Sequence, residues 1–331
     1  AVYRSVARLL NVDSDEIALL ENATVAWDKA FYSLPFNEGD RILTCQSEYG
    51  ANYVAYLQMA KRIGVKIDVI PNDEFGAVDP VALDSMIDDQ VKLISITHIP
   101  TNGGLVNPAE AIGVIARKHN ILYLLDACQS AGQMPLDVQA IGCDMLSAAG
   151  RKFLRAPRGT GFLYVRRSLL QTLEPSTIDH FAGVWVDADN YELRPDARRF
   201  ELWENNYAAR MGLGVAVDYA LDLGLDVIYA RAKSLADRLR TGLEKISGVT
   251  VQDLGREPCA IVTFSFDKMV SEQIAEKLSA QNINASVSDS ETTRLDAIAR
   301  NLPHLVRLSP HYYNTEDEID TVLDVLQTVL K

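Results

Sequence analysis

Residues 124–167 read LLDACQSAGQMPLDVQAIGCDMLSAAGRKFLRAPRGTGFLYVRR, and the fold of the chain turns on how this run is understood. One apolar stretch ends on an acid at Asp126, a second ends on Arg151 and Lys152, and a third, GFLYVRR, returns after a glycine-studded turn. Short apolar runs closed by polar residues read as strands buried on both faces of a sheet. Where the chain leaves that sheet, Arg151, Lys152, Arg155 and Arg158 place four cations within eight positions of a chain whose formal net charge is -13. The cluster is local and sized for a small anion.

Working outward, RILTCQS (41–47), KIDVIPND (66–73), VKLISITHI (91–99), ILYLLDACQS (121–130), CDMLSAAG (143–150) and GFLYVRR (161–167) are strand candidates. Amphipathic helical patterns lie between most of them, at 51–63, 79–88 and 108–119, the last with Asn107 as N-cap, Pro108 in the first turn and Glu110 behind it. Alternating β and α segments imply an α/β fold with a mostly parallel sheet covered by helices on both faces. Residues 206–247 read as two long helices broken at Gly224 and Leu225. Beyond Gly248 the runs VTVQDL, CAIVTFSF, INASVSD and LVRLSP, a helix at 271–281 and a last helix with a Thr315–Glu318 capping box read as a smaller α+β unit. We expect a large domain over 1–223 and a connector helix with a small domain over 224–331. The chain opens at Ala1 and runs straight into helix-like VYRSVARLL, from which we expect an amino-terminal portion outside this sequence.

With 331 residues, 48% hydrophobic and 23% charged, the chain has the composition of a globular protein with a sizeable core. No window approaches the roughly 20 apolar residues of a membrane-spanning helix, and no signal-like start is present, so a cytoplasmic location is expected. Cys45, Cys128, Cys143 and Cys259 lie far apart, without the close pairs of a metal site and at too low a density for a disulfide scaffold. A pI near 4.9 argues against nucleic acid as a partner.

In an open parallel sheet, ligands sit beyond the carboxyl ends of the strands. Glu48 and Tyr49, then Thr97, His98 and Asn102, then Asp126, then Arg151 and Lys152 all follow strand candidates there, and ENATVAW (21–27) reads as a loop turning into a helix with Asn22 or Thr24 at its start. Singly, each has a structural explanation: cap, turn former, core histidine, rim aromatic or solvated pair. Together on one edge they suit one chemistry. A buried acid at a strand end calls for a cation, and a protonated heterocyclic nitrogen is a suitable one. A lysine among cations has its ammonium form disfavoured and serves as a Schiff-base amine. Arginine with a helix N-terminus favours phosphate, and an aromatic side chain covers a flat ring. Acid, lysine, phosphate seat and aromatic plate describe a site for pyridoxal 5'-phosphate.

At these residues the sequence resembles the class V aminotransferase family of fold type I pyridoxal-phosphate enzymes, which includes cysteine desulfurases, isopenicillin N epimerase and C–S lyases. The resemblance is carried by 124–167, LISITHIPTNGGLVNP (93–108), SEYGAN (47–52) and VRLSPHYYNTEDEID (306–320), and spans nearly the whole chain. It implies a large domain with a mostly parallel seven-stranded sheet and a small C-terminal domain. Lys152 would form the internal aldimine and move the α-proton, Asp126 would pair with the ring nitrogen, and Gln129 would approach the ring hydroxyl. Asn102 would reach that hydroxyl or the substrate carboxylate, with Thr101 as the alternative. Ala23 and Thr24 would hold the phosphate, and Arg307 the substrate α-carboxylate. Asn206, in WENNYAA (203–209), would contribute a phosphate contact across a homodimer interface.

The sequence departs from the family's desulfurase pattern at three places. Arg151 stands where that pattern has histidine before the lysine, and so would contact the phosphate. Tyr49 replaces a stacking histidine. The segment NASVSDSETTR (284–294) has no cysteine, so we expect an enzyme that is not a persulfide-forming cysteine desulfurase. The Gly-Arg-Lys anchor points first to β-elimination or C–S cleavage of a cysteine-like amino acid, then to transamination, then to racemisation or epimerisation. A non-catalytic cofactor-binding assembly component is the alternative from another class.

Overall fold

The structure is a computed structural model describing residues 1–330. Its centre is a sheet of β1 (Ile17–Leu20), β2 (Arg41–Thr44), β3 (Lys66–Val69), β4 (Val91–Thr97), β5 (Leu122–Asp126), β6 (Met145–Ala149) and β7 (Gly161–Val165), in the order β1-β7-β6-β5-β4-β2-β3. All strands are parallel except β7, which runs against both β6 and β1. The α/β class and the mostly parallel seven-stranded sheet are therefore as the sequence suggested.

Period-two alternation sends the strand side chains into two separate cores. On one side Ile17, Ile94, Leu125 and Phe162 pack with α1 (Val2–Leu10), with α4, α5 and α6 (Pro80–Met86, Ala109–His119 and Val138–Ile141), and with α7 (Tyr207–Leu223). On the other, Ala18, Leu93, Leu124 and Leu163 meet α2 (Ala23–Phe31) and α3 (Gly50–Ile63), where Trp27, Phe31 and Tyr56 pack ring against ring. Both faces being buried explains why the strands read as near-continuous apolar runs.

Gly224, at φ 88, separates α7 from α8 (Leu225–Leu243), as the break in the helical pattern predicts. A second, antiparallel sheet follows, made of β10 (Val249–Val251), β11 (Val262–Phe266), β12 (Ser286–Ser288) and β13 (Leu305–Leu308) in the order β10-β11-β13-β12. It packs on α8, α9 (Ser271–Ser279) and α11 (Glu316–Val329), with α10 (Arg294–Ala299) beside it. The Thr315–Glu318 capping box is present at the start of α11.

Three local readings change. Strand β1 was not foreseen, because a four-residue apolar run carries no periodicity to separate it from the neighbouring helices. A hairpin of β8 (Gly183–Asp187) and β9 (Asn190–Leu193) also went unread. Asn107 does not cap α5; its side chain instead accepts from Val78 N and donates to Thr97 O, tying two loops to the end of β4.

The segment after Lys152 belongs to both cores. Phe153 is buried in the core of the second sheet, and Leu154 in that of the first. Arg155 then takes a left-handed φ of 57°, an uncommon choice for a residue with a Cβ. Its guanidinium lies 4.9–5.4 Å from the ring centres of Tyr219, Tyr312 and Tyr313. His311 Nδ1 accepts from Tyr312 N, which leaves Nε2 to donate to the Phe153 carbonyl at 3.0 Å. No helix among the described residues is long and apolar enough to cross a membrane.

Gly161 sets the distance between β7 and the start of α2, because a Cβ there would stand 2.6 Å from the Asn22 carbonyl carbon and 2.9 Å from Ala148 O. Gly161→Ala is expected to lower unfolding free energy by about 1–3 kcal/mol through overpacking. Gly159→Ala, with nothing within 4 Å but a φ of 78°, should cost about 1 kcal/mol. Urea denaturation of both variants checks the ordering.

Candidate active site

Because β2, β4, β5 and β6 are parallel, the residues that leave their carboxyl ends meet at one edge. Gly161 admits the first turn of α2 to the same edge, and together these segments enclose a cavity of about 480 Å³. That is ample for a small molecule. A second cleft of equal size lies at the opposite edge, near Asp88, Lys92 and His119, and none of its ionisable groups is buried.

Asp126 closes β5 with 5% of its surface exposed. Cys128 N donates to Oδ1 at 2.8 Å and Asn52 Nδ2 to Oδ2 at 3.0 Å. Burial pushes the Asp126 carboxyl above its ordinary range, with these donors and the Lys152 charge opposing. Each oxygen keeps a further acceptor site, and the residue lines the cavity, so a cation placed there would relieve the burial cost.

Lys152 follows the end of β6 and faces the same cavity, its amine without a hydrogen-bond partner among the described residues. Burial draws its pKa down; Arg307 and Arg151 act in the same direction, while Cys128 and Asp126 oppose them. Gly150 makes this approach possible, since a Cβ there would stand 2.3 Å from Thr160 Oγ1. The result is an amine biased toward its neutral, nucleophilic form beside a buried acid.

The other residues assemble around this pair. Tyr49, the residue before α3, lines the cavity with a half-buried ring whose hydroxyl burial pushes up. Ala23 and Thr24 line it from the first turn of α2, where Asn22 Oδ1 accepts from Val25 N. Arg151 lines it from the exposed side. Gln129 Nε2 donates to Thr101 Oγ1 at 3.2 Å, and Arg307 reaches over from β13 to donate to both Thr101 O and Thr101 Oγ1 at 2.9 Å.

Arg307 does not line the cavity itself and reaches it through Thr101, and two expected residues lie elsewhere. Asn102 does not line the cavity: its amide donates to Asp289 O and Thr293 Oγ1 and accepts from Thr292 Oγ1, holding the 289–293 turn against α3. Its neighbour Thr101 faces the cavity instead. Asn206 is exposed and caps α7 by accepting from Ala209 N, so it does not reach the cavity of its own chain. The four-cation cluster also divides, since Arg151 and Lys152 face the cavity while Arg155 turns to the tyrosines and Arg158 to solvent.

Sequence reasoning missed Asn52. It sits one helical turn after Glu48, a spacing that puts both on one face of the entry to α3, and that was the available signal. Asn52 Nδ2 also donates to Glu48 Oε1 at 2.9 Å, which extends the site into a buried network. His98 belongs to the support beneath: it is buried, its Nδ1 is 3.0 Å from Ser130 Oγ, and burial holds its pKa down at about 4.

The chain is similar to known proteins over nearly its whole length. A probable cysteine desulfurase of Methanothermobacter thermautotrophicus is 31% identical over 328 residues, covering 98% of this chain and 82% of that protein. The apo structure of a cysteine desulfurase from Thermococcus onnurineus NA1 superposes with a TM-score of 0.94 at 25% identity, over 99% of this chain and 82% of that one. A cystine C–S lyase, C-DES, solved with cysteine persulfide, shares the fold with a TM-score of 0.87 at 24% identity, over 98% and 85% of the two chains. These relatives correct one expectation. The absence of a cysteine from 284–294 does not set the chain apart from cysteine desulfurases, because relatives bearing that name match it at 27–32% identity over nearly its full length. One missing side chain in a loop is outweighed by similarity across both sheets. The aminotransferase class-V family model matches residues 2–322, and on that breadth the chain belongs to the class-V aminotransferase family.

Proposed function

We propose that this chain is a pyridoxal-phosphate-dependent enzyme that cleaves the carbon–sulfur bond of a cysteine-like amino acid. The observation that carries the reading is the pairing of Asp126 and Lys152 at one cavity, a buried acid held by two neutral donors and an amine that burial biases toward its neutral form. The cofactor fits both needs. When bound, it supplies an electron sink for bond-breaking at the substrate's α-carbon.

Each residue then has a task. Lys152 would hold the cofactor through its amine and would move the substrate's α-proton. Asp126 would stabilise a protonated ring nitrogen by a charge-assisted hydrogen bond. Tyr49 would pack against the ring; the first turn of α2, at Ala23 and Thr24, and Arg151 would hold the phosphate. Gln129 and Thr101 would serve the ring hydroxyl. Arg307, whose Nη1 donates to Thr101 O and Oγ1, would take the substrate carboxylate. The names of the relatives support a sulfur-bearing substrate.

The working form we propose is a homodimer. Tyr207, Met211, Val215 and Tyr219 recur every fourth residue along α7 and are 52–69% exposed, and Trp185 on the β8–β9 hairpin is 77% exposed. The opposite face of α7 is spent on α1 and the first core through Leu213 and Val217. A second copy of the chain would cover this stripe and bring Asn206 to a neighbouring cavity.

Four outcomes are expected. Protein mixed with pyridoxal phosphate should develop a visible absorbance band that Lys152→Ala abolishes, and the loaded protein should release sulfide from cysteine, or cysteine persulfide from cystine. A colourless wild type, or keto acid formed with amine transfer and no sulfide, would count against the reading. Because burial lowers the Lys152 pKa, the rate of cofactor uptake should rise with pH and level off below the pH at which an ordinary lysine near 10.5 deprotonates, as stopped-flow absorbance would show. Met211→Glu should shift the mass measured by light scattering from dimer toward monomer.

A further inference from the structure

We propose that Asn52 is the positioning residue for Asp126, and that Glu48 fixes the direction in which Asn52 points. The inference rests on the cofactor reading above and concerns how the chain holds the acid that meets the ring nitrogen.

Asn52 is 2% exposed, and its Nδ2 donates to two carboxyls, Glu48 Oε1 at 2.9 Å and Asp126 Oδ2 at 3.0 Å. A carboxamide has two N–H donors and one carbonyl. Turned over, it would set that carbonyl against both acids and forfeit two buried hydrogen bonds to them, so only one orientation is stable. Glu48, 3% exposed, is itself held from several elements: Thr44 Oγ1 donates to Oε2 at 2.8 Å, Tyr49 N to Oε1 at 2.9 Å, and Thr97 Oγ1 to Oε1. These donors come from β2, the entry to α3 and β4, which belong to the rigid frame of the sheet. Glu48 is thus an immobile acceptor, and an immobile acceptor selects the amide orientation.

For Asp126 the consequence is geometric. Asn52 occupies one oxygen and Cys128 N the other, so the carboxyl plane cannot spin, and its remaining acceptor capacity is left for the cavity it lines. Burial raises both acids, and the Asn52 donor opposes that rise in each. Without Asn52, Asp126 would keep its own proton more readily and meet the ring nitrogen less well.

Apo protein is titrated with pyridoxal 5'-phosphate, and two quantities are read: the dissociation constant, and the pH at which the visible band of the bound cofactor changes. Asn52→Leu, nearly isosteric, and Asn52→Ser, which donates one hydrogen instead of two, are each expected to weaken binding by about tenfold or more and to move the titration of the band. Glu48→Gln keeps an oxygen for Asn52 and should stay within about threefold of wild type, whereas Glu48→Met should fall with the Asn52 variants. Circular dichroism establishes which variants fold. Folded Asn52 variants with the wild-type constant and an unmoved band titration would overturn the proposal, and a wild-type-like Glu48→Met would overturn the part assigned to Glu48. A wild type that takes up no cofactor, with Lys152→Ala no different from it, would instead bring down the reading of the site.

Discussion

Everything in the site depends on the burial of one carboxyl at the end of β5. Asp126 closes β5, between β4 and β6 in the middle of the sheet, where burial makes a charge costly. The protein supplies two neutral donors, and they reduce the cost without removing it. Under the function proposed above, a protonated ring nitrogen would offset that cost. Lys152 at the end of the adjacent strand, Tyr49 at the entry to α3 and the first turn of α2 line the same cavity.

Much of this was legible in the sequence because it is carried by local pattern. Apolar runs closed by polar residues gave β4, β5 and β6, and their parallel order brought Thr97, Asp126 and Lys152 to one edge without any knowledge of side-chain contacts. Arg307 was found through its resemblance to a family motif; its reach to Thr101, 206 positions away in the chain, is a property of two sheets meeting and leaves no trace in spacing. Thr101 and Asn102 show the limit well. Adjacent residues in a loop point in different directions, and only the fold tells that the threonine faces the cavity while the asparagine ties down the 289–293 turn.

What escaped notice did so for physical reasons. Asn52 looks like an ordinary polar residue in the first turn of a helix, and its importance lies in acceptors that other segments bring to it. Strand β1 is too short to show a period, although it is buried throughout. The cation cluster at 151–158 misled by proximity in sequence: a left-handed residue at Arg155 turns the chain, so neighbours along it serve a cavity on one side and a set of tyrosine rings on the other. The missing loop cysteine misled in the opposite way, by giving one position more weight than the similarity of the whole chain.

The junction just beyond Lys152 has a mechanical meaning. Phe153 is embedded in one core, Leu154 in the other, and the Arg155 guanidinium is clasped by rings from α7 and from the segment that follows β13. Lys152 is therefore mounted on the seam between two bodies instead of on either one. The packing of the C-terminal sheet and that of the first core therefore both bear on the short segment that carries Lys152.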